Sequence, residues 1–109
     1  AIVAGDERSS THILRKVRNT SRIYKNSIAL KIREIEARPE STFDDIYQLV
    51  AGVKNQVVYQ TGDLEAGTWT AGGVMGVIHD IPTCKQLIDR IMAEAEAIIG
   101  QRLARFAAR

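Results

Sequence analysis

The 109 residues amount to one domain or part of a larger protein, with 45% apolar and 26% charged residues, as in soluble globular proteins. This composition excludes a disordered tail and a collagen-like repeat, and a single cysteine, Cys84, excludes a disulfide scaffold. No stretch approaches the roughly 20 apolar residues of a membrane span, and no signal-like segment is present. We therefore expect a cytoplasmic protein with no membrane partner.

The net charge of +2 conceals a basic block at residues 8–33, which holds eight basic residues and no acidic one. Such a block can attract phosphate, either in a nucleic acid or in a dinucleotide such as NADH. A solvated surface that pairs with the acidic remainder of the chain is the simpler interpretation. Only Tyr24 interrupts the bases, so platforms for stacking single-stranded nucleic acid are missing.

The first third of the chain predicts a strand followed by a helix. Residues 1–5 are typical of the last turn of a helix closed by a glycine, and we expect its earlier turns upstream of residue 1. The β-favouring run Ser9–Val17 predicts a short strand, and the polar run Arg18–Lys25 predicts a loop. Asn26–Ala37 predicts a helix that is stopped by Pro39. Its expected inner face consists of Ile28, Ile32 and Ile35, with Ala29 beside them.

A second helix is predicted from Thr42, because its hydroxyl can accept a hydrogen bond from the amide of Asp45. The expected buried stripe of this helix consists of Phe43, Ile46, Tyr47 and Val50. Gly52 fits a left-handed cap at its end. The following apolar run, Gln56–Gln60, is compatible with a strand or a helix, and periodicity does not decide between them.

The glycine-rich stretch 61–80 carries the single tryptophan and five of the eight glycines. Neither a Walker loop nor a dinucleotide fingerprint matches its glycine spacing. Its pattern predicts a turn at 61–63 and then a helix over Trp69–Ile78. Ala71, Gly72 and Gly76 would give that helix a nearly bare face, for which tight helix packing and a ligand surface are equally good explanations.

The last segment predicts an amphipathic helix of about 25 residues that begins with a capping box of Thr83 and Gln86. Its apolar stripe includes Cys84, Ile88, Ile91, Ala95 and Ile98, widened by Leu87, Ile99, Leu103 and Phe106. Such a stripe needs a partner surface, and Cys84 is most simply a small core residue on it.

No catalytic machinery is visible in these residues. His12, His79 and Cys84 are too few and too scattered for a metal site, which needs three or four ligands at recognisable spacing. The pair His79 and Asp80 is compatible with a base oriented by a carboxylate. The simpler interpretation is that the His79 imidazole lies at a helix end. We therefore assign no catalytic residue and no metal ligand.

Several motifs nevertheless resemble a known family in their order and spacing. They are Arg-Asn-Thr-Ser-Arg with Lys-Asn-Ser (18–27), Thr-Phe-Asp-Asp-Ile-Tyr-Gln-Leu-Val-Ala-Gly (42–52), Thr-Gly-Asp (61–63), Gly-Thr-Trp-Thr-Ala-Gly (67–72), Gly-Val-Ile-His-Asp-Ile-Pro (76–82) and Ala-Glu-Ala-Glu-Ala-Ile-Ile (93–99). Over essentially its whole length the chain resembles the C-terminal third of the nitronate monooxygenases, formerly called 2-nitropropane dioxygenases. Close relatives in that group are NADH:quinone reductases, and the flavin-type enoyl-acyl-carrier-protein reductases are similar at longer range.

The resemblance implies an α+β, mostly helical segment of an FMN-dependent TIM-barrel enzyme whose barrel is absent from this chain. Residues 1–7 would be the end of a barrel helix and 8–66 a small domain that covers the barrel mouth. Residues 67–109 would be a helix returning to the active-site mouth and a C-terminal helix that packs on the barrel. The expected partner is then the missing N-terminal barrel, and the family's catalytic histidine and flavin-phosphate glycines would lie upstream of residue 1.

The resemblance also assigns one candidate cofactor site. The run Trp69, Thr70, Ala71, Gly72 and Gly73 corresponds to a family segment near the flavin and substrate cavity. Gly73 stands where many members carry Gln or Met, so a polar contact made by that side chain is not expected here. The implied cofactor is FMN, with NAD(P)H as a candidate electron donor and an alkyl nitronate or a quinone as the small-molecule substrate.

Two other classes of function are alternatives to this reading. A nucleic-acid-binding module would use the basic block, but the glycines and Trp69 do not support it, and we expect no nucleic-acid partner. An interaction or assembly module would use the C-terminal stripe as a coiled-coil seam. The segment alone is expected to be inactive under the enzyme reading.

Overall fold

The computed structural model describes residues 1–108 and has the α+β, mostly helical character expected from the sequence. Its elements are β1 (Ser10–Ile13), β2 (Ser21–Tyr24), α1 (Ser27–Glu36), α2 (Asp44–Val50), α3 (Gly52–Thr61), a 3₁₀ helix (Gly73–Val77) and α4 (Cys84–Ala107). The chain divides into two compact units, Ala1–His79 and a second that begins at Asp80. The boundaries implied for a full-length enzyme, at 7/8 and 66/67, stay predictions.

Strands β1 and β2 pair as an antiparallel hairpin in which Ser10 lies opposite Tyr24. β1 confirms the predicted strand but is shorter, because Leu14 takes a left-handed backbone conformation (φ 60°) that ends it. The loop predicted at Arg18–Lys25 is wrong, since four of its residues form β2. Polar composition concealed this strand, which needs only one buried apolar side chain, Ile23, and the backbone hydrogen bonds of β1.

Helix α1 confirms its predicted position and inner face. Asn26 is the N-cap, and its side-chain oxygen accepts the N–H of Ala29 at 2.9 Å. Ala29 and Ile32 are fully buried, while Ile28 and Ile35 pack partly buried against the same core. That core consists of Ile13, Leu14, Ile23, Ala29, Ile32 and Ile46. The helix therefore covers one face of the hairpin.

Helix α2 begins later than predicted, and its cap is reversed. The Asp45 carboxylate accepts the Thr42 N–H at 2.7 Å and the Thr42 hydroxyl at 3.1 Å, so Thr42 donates where we expected it to accept. Of the expected stripe only Ile46 is fully buried. Phe43 and Tyr47 are 41% and 52% exposed and contact each other edge to face. A short helix of seven residues offers room for one deep anchor.

The left-handed cap predicted at Gly52 is wrong, because Gly52 is the first residue of α3 and has no positive φ. The residue that takes the left-handed conformation is Gly62, with φ 74°, and it ends α3 by donating its N–H to the carbonyl of Val58. Gln56–Gln60 is accordingly helical, which settles the question the pattern left open. The turn predicted at 61–63 follows directly from the Gly62 cap.

The hydrogen bonds at Thr42 give one measurable pH effect. The backbone N–H of Thr42 first, and its hydroxyl second, lower the pKa of Asp45 below its ordinary value of 3.8. A carboxylate with a lowered pKa stabilises the fold above the ordinary value, and this contribution disappears as the pH falls through the lowered pKa. Asp45→Asn should therefore lower the free energy of unfolding at pH 7 and have little effect near pH 2. Urea unfolding at both pH values tests this, and Asp44→Asn, which removes no bond to Thr42, should show a smaller pH dependence.

The first residues form a turn and not the end of a helix. Gly5 donates its N–H to the Ile2 carbonyl at 3.1 Å and has no positive φ, so the predicted glycine cap is wrong. Gly5 serves close packing instead, because a Cβ there would lie 2.5 Å from the Met75 methyl carbon. A Cβ at Gly76 would likewise lie 3.1 Å from the Glu7 nitrogen. These two glycines allow the N-terminal segment to lie against the 3₁₀ helix.

The second unit consists mainly of α4, which confirms the predicted C-terminal helix and its capping box of Thr83 and Gln86. None of its described residues is buried, and Leu103 and Phe106 are 62% and 73% exposed. Cys84 is exposed, so it is part of no core within the described residues, and its expected burial against a partner surface stays a prediction. Within residues 1–108, no helix has the length and apolarity to cross a membrane. Arg109, the last residue of the predicted 67–109 segment, lies outside the described residues.

Candidate functional site

The candidate segment 69–73 is extended at its start and not helical. The Tyr24 N–H donates to the Trp69 carbonyl at 3.0 Å, and Thr70 forms an antiparallel bridge with Ile23. The helix predicted over Trp69–Ile78 is therefore wrong, and only Gly73–Val77 is helical, as a 3₁₀ helix. Glycines disfavour an α-helix, and pairing with the free edge of β2 satisfies backbone groups that a helix would otherwise have to satisfy.

Trp69 and Ala71 point into a second core. They are 7% and 5% exposed and pack with Val58 and Met75. The indole of Trp69 stacks on the Tyr24 ring, with 4.5 Å between ring centroids and 21° between planes. The Trp69 Nε1 atom is buried and has no hydrogen-bond partner within residues 1–108. The stack of Trp69 on Tyr24, which belongs to β2, attaches the segment to the hairpin.

The other three candidate residues lie nearer the surface. Thr70 is exposed, and Gly72 and Gly73 are partly exposed. A Cβ at Gly73 would lie 3.6 Å from the Arg22 Nη1 atom, whose guanidinium is held by a hydrogen bond of 2.9 Å from Nε to the Ser10 hydroxyl. The accessible part of the site is thus a stretch of backbone with little side chain beside a fixed cation.

The predicted bare face of Ala71, Gly72 and Gly76 does not form, since these residues do not share one helix. Ala71 is in the core, and Gly76 lies against Glu7. Sequence analysis missed Arg22, because recognition of its role needed the β2 strand that places it beside Gly73. Its membership of the basic block was the available signal.

A network on the preceding loop holds the segment in place. The buried Asn26 amide donates to the carbonyls of Leu64 and Gly67, both at 2.8 Å. The Thr68 hydroxyl donates to the Asn55 side-chain oxygen at 2.9 Å. Beside Thr68 and Trp69, a cavity of about 170 Å³ separates this loop from the hairpin core. The loop is therefore tied to both α1 and α3 before it reaches Trp69.

Conventional catalytic arrangements do not form around this segment. His12 and His79 are both exposed. Within residues 1–108 no three His, Cys, Asp or Glu side chains are placed to hold a metal ion. Segment 69–73 therefore offers a surface for contact and positioning, with the guanidinium of Arg22 beside Gly73.

Comparison with solved structures relates the fold of this chain to that of a known protein. FabK from Thermotoga maritima is a structural neighbour of this chain. The two share a TM-score of 0.78 and 25% sequence identity, over 94% of this chain and 32% of FabK. Nearly all of this chain therefore has the fold of about one third of that protein.

The sequence comparisons are more local. A stretch of 34 residues is 50% identical to the (3aS,4S,5R,7aS)-5-hydroxy-7a-methyl-1-oxo-octahydro-1H-indene-4-carboxyl-CoA dehydrogenase of Rhodococcus jostii (strain RHA1). It spans 31% of this chain and 10% of that dehydrogenase. No protein-family model matches the sequence. The chain thus spans a minor part of the length of each of these two proteins.

Proposed function

We propose that this chain is the C-terminal, cavity-covering part of an FMN-dependent oxidoreductase of the nitronate monooxygenase-like group. The likeness to FabK over 94% of the chain is the observation that carries the proposal. This likeness supports the assignment to the broad group of flavin enzymes. It also agrees with the longer-range resemblance of the motifs to the flavin-type enoyl-acyl-carrier-protein reductases. The partner of the chain would be the barrel portion of the same protein, in the cytoplasm.

The residues present fit a supporting contact to FMN. Gly72 and Gly73 are partly exposed and carry no side chain, so their backbone is accessible to a flat ring. Arg22 beside Gly73 supplies a positive charge for a ring carbonyl oxygen or for the substrate. Trp69 and Ala71 would act indirectly, by fixing the backbone from the core.

When bound, FMN supplies the electron transfer, and this chain would position the reactants and exclude water. Thr70 and Gly72 would form the part of the cover that faces the cavity, and Arg22 would hold a partial negative charge there. The hydrogen bond from the Tyr24 N–H to the Trp69 carbonyl holds that surface at the edge of β2. No proton transfer is assigned to the chain.

The nitronate monooxygenase reaction is the specific activity we propose, with an alkyl nitronate as donor and oxygen as acceptor. An NADH:quinone reductase of the same group is the alternative that the motifs support. The short match to a carboxyl-CoA dehydrogenase favours a second alternative, oxidation of a coenzyme A thioester. Anaerobic bleaching of the flavin by a nitronate, by NADH or by an acyl-CoA distinguishes the three, because only the true donor reduces it rapidly.

The proposal makes a direct prediction about colour. A full-length protein that contains this chain should purify yellow with FMN, whereas the isolated 109-residue chain should be colourless. Absorbance near the flavin bands, with intact mass to prove the length of each sample, is the measurement. A full-length protein that neither purifies with flavin nor takes up added FMN would overturn the proposal. Flavin on the isolated chain would contradict the placement of the phosphate site in the barrel.

A further inference from the structure

A second concave site lies away from segment 69–73, between the end of β1 and the last turns of α1. Its cavity measures about 370 Å³, and its lining includes Thr11, His12, Arg15, Lys16, Arg33 and Glu36. The volume is that of a small-molecule site, whose usual range begins at about 300 Å³. Three of the lining side chains are cationic and one is a carboxylate, so the cavity is electropositive.

The two arginines of this cavity have no counter-ion in the part of the chain that the structure describes. Within residues 1–108, neither Arg15 nor Arg33 forms an ion pair, and neither guanidinium donates a hydrogen bond. Lys16 differs, because its ammonium donates to the carbonyls of Arg38 and Pro39 at 2.8 and 2.7 Å. Lys16 therefore builds the wall of the cavity, and the two guanidinium groups are its available donors.

The one carboxylate is already engaged. Glu36 accepts the N–H of Leu14 through Oε2 at 3.1 Å, and this bond holds the left-handed residue that ends β1. Its other oxygen, Oε1, is buried and out of contact with solvent. Glu36 thus shapes the floor of the cavity and does not pair with Arg33, although both line it.

We propose that this cavity binds the phosphate groups of a small molecule of the nucleoside diphosphate class. A guanidinium forms two parallel hydrogen bonds to phosphate, and a cavity lined by two guanidinium groups offers one for each phosphate of a diphosphate. His12, which is exposed and also lines the cavity, adds a third donor. A concave site of this volume favours a small ligand over a nucleic-acid strand, and no Phe, Tyr or Trp ring lines it for base stacking.

Calorimetric titration of the full chain with ADP tests the site, with adenosine as the ligand that lacks phosphate. We expect ADP to bind and adenosine not to bind. Arg15→Gln and Arg33→Gln should each weaken ADP binding by roughly tenfold or more, because each removes a charge-assisted contact. Arg33→Lys keeps the charge but loses the planar fork, and it should also weaken binding. Circular dichroism verifies that each variant remains folded.

Lys31→Gln is the matched control, since Lys31 is an exposed base of the same block on the same helix and does not line the cavity. ADP affinity should be unchanged in this variant. An equal loss in Lys31→Gln and Arg33→Gln would show general charge attraction and overturn the site. The absence of ADP binding to the folded wild-type chain would overturn it as well. Tighter binding of a single-stranded RNA, weakened equally by the three glutamine variants, would assign the block to nucleic acid instead.

Discussion

Replacing Asn26 by alanine should destabilise the first unit by about 3 kcal/mol, the larger of the two mutational effects we expect. The side chain is 3% exposed and makes three hydrogen bonds, one that caps α1 and two to the loop carbonyls of Leu64 and Gly67. Loss of a helix cap costs about 1 kcal/mol, and each buried group left without a partner costs about 1–3 kcal/mol. Urea unfolding followed by circular dichroism measures the change.

Asn26→Ser separates the two contributions. Serine is also a good N-cap but is too short to reach the two loop carbonyls, so it should recover only the capping part, about 1 kcal/mol. Full recovery of stability in Asn26→Ser would show that the loop contacts contribute nothing. A cost below about 1 kcal/mol in Asn26→Ala would contradict the whole account, since it lies within the range of a cap alone.

Gly67→Ala should destabilise the fold by about 2–3 kcal/mol, because a Cβ at this buried position would overlap with backbone atoms. It would lie 2.6 Å from the Lys54 carbonyl oxygen and 2.7 Å from its carbonyl carbon, and both are backbone atoms of α3. Relief requires α3 and the loop to separate, which strains the Asn26 bond to the Gly67 carbonyl. In a full-length flavin enzyme the same shift should weaken FMN retention through segment 69–73.

Gly52→Ala is the matched control at the start of the same helix. A Cβ there meets no atom within 4 Å, and the residue has no positive φ. Removing a glycine at such a position should leave stability unchanged or raise it by about 0.5 kcal/mol. If both alanine variants unfold at the same urea concentration, the close approach of Gly67 to α3 is not a determinant of stability.

The sequence predicted the structure best in helices that have a capping residue and a periodic apolar face. The isoleucines of α1 recur at helical spacing, and the Thr83–Gln86 capping box marks the start of α4. The structure confirms both predictions. β2 was missed because Ser21–Tyr24 has one buried side chain, and its strand conformation depends on pairing with β1 and Thr70. Long-range backbone pairing leaves almost no trace in a short polar run.

The assignment of 69–73 as a cofactor site stays a prediction, and the conformation of this segment was not predictable from the sequence. The motif resemblance indicated 69–73, while its extended start and its contact with Tyr24 required knowledge of the missed strand. Gly52 and Gly62 show a related difficulty, since both follow an apolar run and only the longer-range packing of α3 decides which of them takes the left-handed conformation. Arg15 and Arg33 were visible as bases, but their place in the lining of one cavity depends on how α1 lies beside β1.

The stack of Trp69 on Tyr24 has an optical consequence. The chain contains one tryptophan, so its intrinsic emission under selective excitation arises from a single position. That indole is 93% buried, and its emission shifts to longer wavelength when unfolding exposes it to water. It also lies within the segment proposed to approach the flavin, whose absorption overlaps indole emission. An unlabelled sample therefore carries its own reporter, in which a shift in wavelength marks unfolding and quenching without a shift marks arrival of the flavin.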